Sequence, residues 1–100
     1  MGTRCNIIVK GNRKQNILYR HWDGYPRVTG RELERFLSLY SNEWDIDVLA
    51  HQLAEKGIAE FDNTMHGDIE YLYEIDVETH RLECYHLDLC TGDYTKEDLL

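Results

Sequence analysis

Tyr19-Arg20-His21-Trp22-Asp23-Gly24-Tyr25-Pro26 is the stretch on which the fold of this chain turns. Tyrosine and tryptophan, with the preceding Ile17-Leu18, favour a pleated, half-buried surface. Asp23-Gly24 is a turn signal, because glycine accepts positive φ and aspartate bonds its own downstream backbone. Pro26, the only proline of the protein, pushes Tyr25 out of the helical region. A strand therefore ends near Asp23, and the chain is re-aimed before a helix begins. On such a strand His21 and Asp23 share one face while Arg20 and Trp22 take the other.

Upstream, Cys5-Asn6-Ile7-Ile8-Val9 is a β-rich run, and the polar stretch from Gly11 to Asn16 holds a turn. The two runs predict a hairpin with a loop of about five residues. Cys5, Ile7 and Val9 form one row, and Ile17, Tyr19 and His21 are its expected match on the core face, leaving Arg20 and Trp22 outside. Downstream, Thr29-Gly30-Arg31-Glu32 fits a capping box. Leu33, Phe36, Leu37 and Tyr40 then recur at helical spacing, predicting a helix from about Gly30 to Tyr40. Ile46, Leu49, Ala50 and Leu53 form a second stripe, and Lys56-Gly57-Ile58 reads as a Schellman stop, so a second helix spans about Glu43 to Lys56.

Ile58-Ala59-Glu60-Phe61 fits a short edge strand. From Asp68 to Val77 the sequence alternates, with Ile69, Tyr71, Tyr73, Ile75 and Val77 in one row. After the turn at Glu78-Thr79-His80, Arg81 to Leu89 returns as a strand; with Val77 paired near Leu82, the shared row holds Leu82, Cys84 and His86. Thr95-Lys96-Glu97-Asp98 reads as the start of a helical turn. The ββααβββ order predicts an α+β two-layer sandwich: an antiparallel sheet of four to five strands with two helices packed on one face. Strand order across the two hairpins stays open. One hundred residues fit a single domain with a modest core.

Hydrophobic residues make up 42% and charged residues 30% of the chain, a globular rather than a disordered balance. No apolar run approaches a membrane span, and Met1-Gly2-Thr3-Arg4 does not lead into a signal-peptide core; a soluble, intracellular protein is expected, with no membrane partner. Cys5, Cys84 and Cys90 form no CxxC pair, and three reduced thiols packed in or near the core are expected. The net charge of -8 is lopsided: residues 1–42 carry eight Lys/Arg against three Asp/Glu, and residues 43–100 carry three against sixteen. Such an acidic half disfavours direct binding to nucleic acid and favours a basic protein partner, although a charge of this size also serves solubility.

Three His-x-Asp pairs occur: His21/Asp23, His66/Asp68 and His86/Asp88. On a strand this spacing aims imidazole and carboxylate to one side, as a metal or acid/base site needs. His21, Asp23 and His86 are the ligands such a site would use. No HExxH, nucleophile elbow or phosphate loop accompanies them, and no cofactor is expected. The plainer reading has His21 bonded at the core edge and Asp23 holding the turn. Trp22 and Tyr25 are binding-anchor residue types, with packing onto the first helix as the alternative. Glu70, Glu74, Asp76 and Glu83 share one sheet row, and Asp45, Asp47 and Glu55 line the outside of the second helix. These carboxylates are the expected meeting point for a basic partner.

Thr3-Arg4-Cys5-Asn6-Ile7-Ile8-Val9, the Tyr19–Pro26 stretch and Asp68-Ile69-Glu70-Tyr71-Leu72-Tyr73 together resemble a family of small phage and prophage proteins of unassigned function. Their shared mark is a strand ending in a His-Trp/Ser-Asp-Gly-Tyr-Pro turn followed by helices. The resemblance covers residues 3–77 and brings no catalytic residue with it. It implies a viral accessory protein of the bacterial cytoplasm, of the kind that inhibits host defence in the manner of anti-CRISPR proteins. A non-enzymatic inhibitor of a host defence or nucleic-acid-binding protein is therefore the expected function. The alternatives are a small metal-dependent hydrolase or nuclease, and a homodimeric structural component of the phage.

Overall fold

In the computed structural model of this chain, residues 3–39, 45–65, 67–88 and 90–97 are described. The chain is α+β, with a six-stranded sheet and two helices. The strands are β1 (Cys5–Lys10), β2 (Gln15–Arg20), β3 (Glu60–Phe61), β4 (Tyr71–Asp76), β5 (Arg81–Leu87) and β6 (Tyr94–Glu97); the helices are α1 (Arg31–Ser38) and α2 (Ile46–Glu55). Spatial order is β3-β2-β1-β4-β5-β6.

The sheet is mixed, which corrects the antiparallel expectation: β1 and β4 run parallel, side by side at the centre, and every other pairing is antiparallel. The reason lies in β1. Cys5 through Val9 are all buried, as a strand covered on both faces demands. It therefore sits inside the sheet, with β2 on one side and β4 on the other. The expected count of four to five strands rises to six because Tyr94–Glu97 joins β5 as β6 instead of starting a helical turn. Gly92, at φ 77°, and the bond from Asp88 N–H to Asp93 O, 2.9 Å, close the connecting turn.

Register corrects the first hairpin as well. Lys10 pairs with Gln15 and Ile7 with Leu18, so the loop is one residue shorter than expected and the parity of β2 reverses. A one-residue slip moves every side chain to the other face. Leu18 and Arg20 consequently join Cys5, Ile7 and Val9, while Ile17 and Tyr19 face the opposite way. The second hairpin keeps the expected rows but not the expected register: Ile75, not Val77, stands opposite Leu82, and Tyr73 stands opposite Cys84, a two-residue shift that leaves every side chain on its expected face.

Both helices pack on the face carrying Cys5, Ile7, Val9, Leu18, Tyr73, Ile75 and Cys84, through Leu33, Phe36 and Leu37 of α1 and Leu49, Ala50 and Leu53 of α2. The second face has a smaller core of Ile8, Ile69, Leu72 and Leu87. Ile69 thereby leaves the row expected for it with Tyr71 and Tyr73. The chain between β3 and β4 crosses this face: Asn63 N–H bonds Ile17 O at 2.8 Å, and Asn6 Nδ2 bonds Thr64 O at 3.3 Å.

The capping box at Thr29 does not form. A π-helical turn over Pro26–Gly30 precedes α1 and takes proline in its first positions, where a missing N–H costs nothing. Thr29 is buried and its hydroxyl donates to Asp23 O. Asp45 caps α2 by accepting from Asp47 N and Val48 N. The Schellman stop forms as expected, with Ile58 N–H to Leu53 O at 3.0 Å, Gly57 N–H to Ala54 O at 3.1 Å and Gly57 at φ 73°. Tyr40, Glu43, Leu89 and Asp98, to which the expected elements extended, lie outside the described residues. No helix among the described residues is long and apolar enough to cross a membrane.

Candidate binding surface at one end of the sheet

The Asp23-Gly24-Tyr25-Pro26 turn is anchored from three sides, by Thr3, by Tyr73 and by the Thr29 hydroxyl on the Asp23 carbonyl. Gly24 N–H bonds Thr3 O at 2.8 Å, and Gly24 O accepts from the Tyr73 hydroxyl at 2.7 Å. A side chain at Gly24 would meet Thr3 O and the Cys5 Cβ, each at 2.9 Å, so this turn takes only glycine. Beside it, Arg20 is 4% exposed and ties four segments together. Nη1 and Nη2 bind both carboxylate oxygens of Glu32 at 2.9 and 3.2 Å, Nε donates to Trp22 O at 2.9 Å, and Nη1 reaches Ile58 O at 3.3 Å. A forked guanidinium suits such bidentate pairing. The expectation that Arg20 faces outward is thus reversed.

With Arg20 turned inward, Trp22 and Tyr25 remain on the surface, 45% and 37% exposed, and the Arg20 Cζ lies 5.7 Å from the Trp22 ring centroid.

The proposed ligand set does not assemble. Arg20 aligns with Cys5, Cys5 with Tyr71, and Tyr71 with His86. His86 is therefore three strand spacings, roughly 14 Å, from the strand that leads into His21. His21 Nδ1 lies 2.9 Å from the Tyr19 hydroxyl, Asp23 Oδ1 accepts from the Tyr25 hydroxyl at 3.4 Å, and His86 packs on Tyr71 with ring centroids 5.0 Å apart. His66 lies outside the described residues; Asp68 pairs with Arg4 at 2.6 Å, and Asp88 accepts from Cys90 N. Among the described residues no three His, Cys, Asp or Glu side chains come together at a metal-holding spacing.

The acidic sheet row is largely engaged inside the protein. Glu74 and Glu83 stand directly opposite each other, an arrangement that repels. Lys10 answers Glu74 at 3.0 Å, and Lys96 answers Glu83 at 3.3 Å. The Tyr85 hydroxyl, donating at 2.9 Å, and then Lys96 hold Glu83 below the usual carboxylate range, and the same hydrogen bond pushes Tyr85 up to about 12. Asp76 accepts from Glu78 N and Thr79 N in its turn. On α2, Asp47 bonds Lys14 at 2.6 Å and Asn16 at 3.2 Å and is held low by them, Asp45 is the cap, and Glu55 accepts from Gln52.

Carboxylates gather instead at the strand ends beside the Asp-Gly turn. Backbone hydrogen bonds run in a row from Gly24 to Thr3, from Glu70 to Arg4, from Leu87 to Glu70, and between Asp88 and Asp93. Those segments carry Asp23, Asp68, Glu70, Asp88 and Asp93, and Arg4 is their only Lys or Arg. Trp22 and Tyr25 stand at one end of the row and Tyr94, 45% exposed, at the other. Arg4 Nε is buried and has no acceptor among the described residues. Of these residues, the sequence reading singled out Trp22, Tyr25 and Glu70 as binding candidates. It missed Asp68, Asp88, Asp93 and Tyr94 in that role, because they belong to separate turns that only the central parallel pairing and β6 bring alongside one another.

No protein-family model, curated protein or solved structure matches this chain.

Proposed function

We propose that this is a phage-encoded, non-enzymatic binding protein of the bacterial cytoplasm, which docks on a basic surface of a host defence or nucleic-acid-binding protein and blocks it. The observation that carries the reading is the row of strand ends with five carboxylates, one arginine and three exposed aromatic rings. Aromatic anchors supply contact energy, and surplus charge steers a basic partner into place. The resemblance of the Tyr19–Pro26 stretch to phage and prophage proteins supports the viral origin. Carboxylates already matched by Lys10, Lys14 and Lys96 are secondary to this end surface.

The test is capture of the tagged protein from bacterial lysate, followed by binding of the purified partner. A basic protein should be retained, with affinity falling steeply as salt rises. Trp22→Ser and the double variant Glu70→Lys/Asp93→Lys should each weaken the complex about tenfold or more. A complex insensitive to salt and to both variants would remove the end surface as its basis.

A second reading, a homodimeric phage component, draws on β6. That strand ends the sheet, and an unpaired strand edge is a template for a second copy. Solution mass across a concentration series separates the two readings.

A further inference from the structure

A second surface, opposite in charge, lies along α1. Arg27, Arg31 and Arg35 recur every fourth residue through the π-helical turn and α1, a spacing that lines side chains along one side of a helix. All three are exposed and none meets a carboxylate among the described residues. Lys56, at the end of α2, is likewise exposed and meets no carboxylate among the described residues. Between Arg35 and Lys56 runs a groove of about 190 Å³ lined by Glu32, Arg35, Phe36, Leu39, Lys56 and Ile58. Its apolar wall is Phe36, Leu39 and Ile58. Both oxygens of Glu32, the one carboxylate on its wall among the described residues, are already on Arg20.

We infer that this groove docks an acidic peptide segment of a partner protein, with one large apolar side chain as its anchor. An apolar trough between two unmatched cations calls for a ligand that is apolar at its centre and anionic at its flanks. A bare phosphate backbone would satisfy the arginines and leave the exposed Leu39 and the partly buried Ile58 uncovered. The arginine row continues past the groove toward Arg27, so the acidic flank should extend along α1. The surface is separate from the acidic strand ends, and its use does not depend on theirs.

The probe is a fluorescein-labelled dodecapeptide of alternating aspartate and glutamate with a leucine-phenylalanine pair at its centre, titrated with the full chain and read by fluorescence anisotropy. The same peptide with two serines in place of the apolar pair, a short oligothymidylate, and phosphatidylserine-containing vesicles are run beside it. The apolar-centred peptide should bind, and the serine version should bind about tenfold more weakly or worse. Arg31→Glu/Arg35→Glu should weaken the apolar-centred peptide by about tenfold or more, as should Lys56→Glu. Glu70→Lys/Asp93→Lys should leave it unchanged. Thermal melts check that the charge reversals, at exposed positions except the half-buried Glu70, stay folded. Absence of binding, equal binding of the serine peptide, indifference to the reversals, or preference for the oligonucleotide or the vesicles would each overturn the inference.

Discussion

Ile7 and Ile8 are neighbours in β1 that face opposite sides of the sheet, and their surroundings differ. Ile7 is sealed between the sheet and two helices, in a core that runs from Leu33 to Cys84. Ile8 belongs to a group of four, covered by a crossing loop rather than a helix, and shares its face with Lys10, Glu74, Glu83 and Lys96. Among the described residues Arg20 is the one charged side chain buried on the helix side, while the other face settles its charges in pairs across adjacent strands. Further carboxylates gather at the strand ends, where loop side chains are not constrained by cross-strand neighbours.

This contrast has measurable consequences. Ile7→Ala should cost about 4 kcal/mol, because the surrounding core cannot collapse into the space, whereas Ile8→Ala should cost about 2 kcal/mol beneath its more yielding cover. Urea denaturation of the two variants decides the point, and equal losses would dissolve the distinction between the faces. Arg20→Ala should cost about 3 kcal/mol, since a buried guanidinium with four anchoring bonds is lost at once. Gly24→Ala should cost about 2 kcal/mol from the contact with Thr3 O, with a fall in fluorescence anisotropy of Trp22 if the turn loosens.

Much of the helix side was legible in sequence. The stripe Leu33, Phe36, Leu37 and the stripe Ile46, Leu49, Ala50, Leu53 announce their helices by period, and Lys56-Gly57-Ile58 announces a stop because only certain backbones end that way. The second hairpin was legible for the same reason, its alternation being long. The first hairpin misled because its register depends on one residue of loop length, which Gly11-Asn12-Arg13-Lys14 does not encode in its residue types. That single shift placed Arg20 outside and hid its clamp on Glu32. The run Ile7-Ile8-Val9 did contain the sign of a central strand, since consecutive apolar residues point to both faces. The candidate surface was half legible: Trp22 and Tyr25 stand out by type, but Asp68, Asp88 and Asp93 read as ordinary turn formers until strand order sets their turns side by side. Lys96 escaped notice as the partner of Glu83 because Thr95–Asp98 has helix-starting residues, while Tyr94 and Thr95 favour the open edge of β5.

Alkaline titration tests the sealed face directly. Burial pushes the Cys5 thiol up to about 12 and raises the Tyr73 hydroxyl well above its ordinary value. Both groups hold their proton more tightly when folded, so the associated stability is complete below about pH 9 and is lost as pH rises through the thiol and tyrosine range. Tyr85 is raised chiefly by its bond to Glu83 on the other face. Chemical denaturation between about pH 9 and 12 should therefore show falling stability. Tyr73→Phe should flatten that fall more than Tyr85→Phe, after allowing for the Tyr73 bond to Gly24 lost at every pH.

The smallest effect bears most closely on the proposed function. Lys10 and Glu74 are partly exposed, so a double-mutant cycle of Lys10→Met and Glu74→Gln should give a coupling of only about 0.5 kcal/mol. In about 1 M salt, where the screening length falls to roughly 3 Å, that coupling should shrink toward zero. A coupling of this size means that an incoming cation must displace Lys10 to reach Glu74, and gains little by doing so. If the cycle instead gave no coupling at low salt, Glu74 and its neighbour Glu83 would be free to meet an external partner. The sheet face would then compete with the strand ends as the docking surface, and Glu74→Lys would weaken capture of a basic protein as strongly as Glu70→Lys/Asp93→Lys.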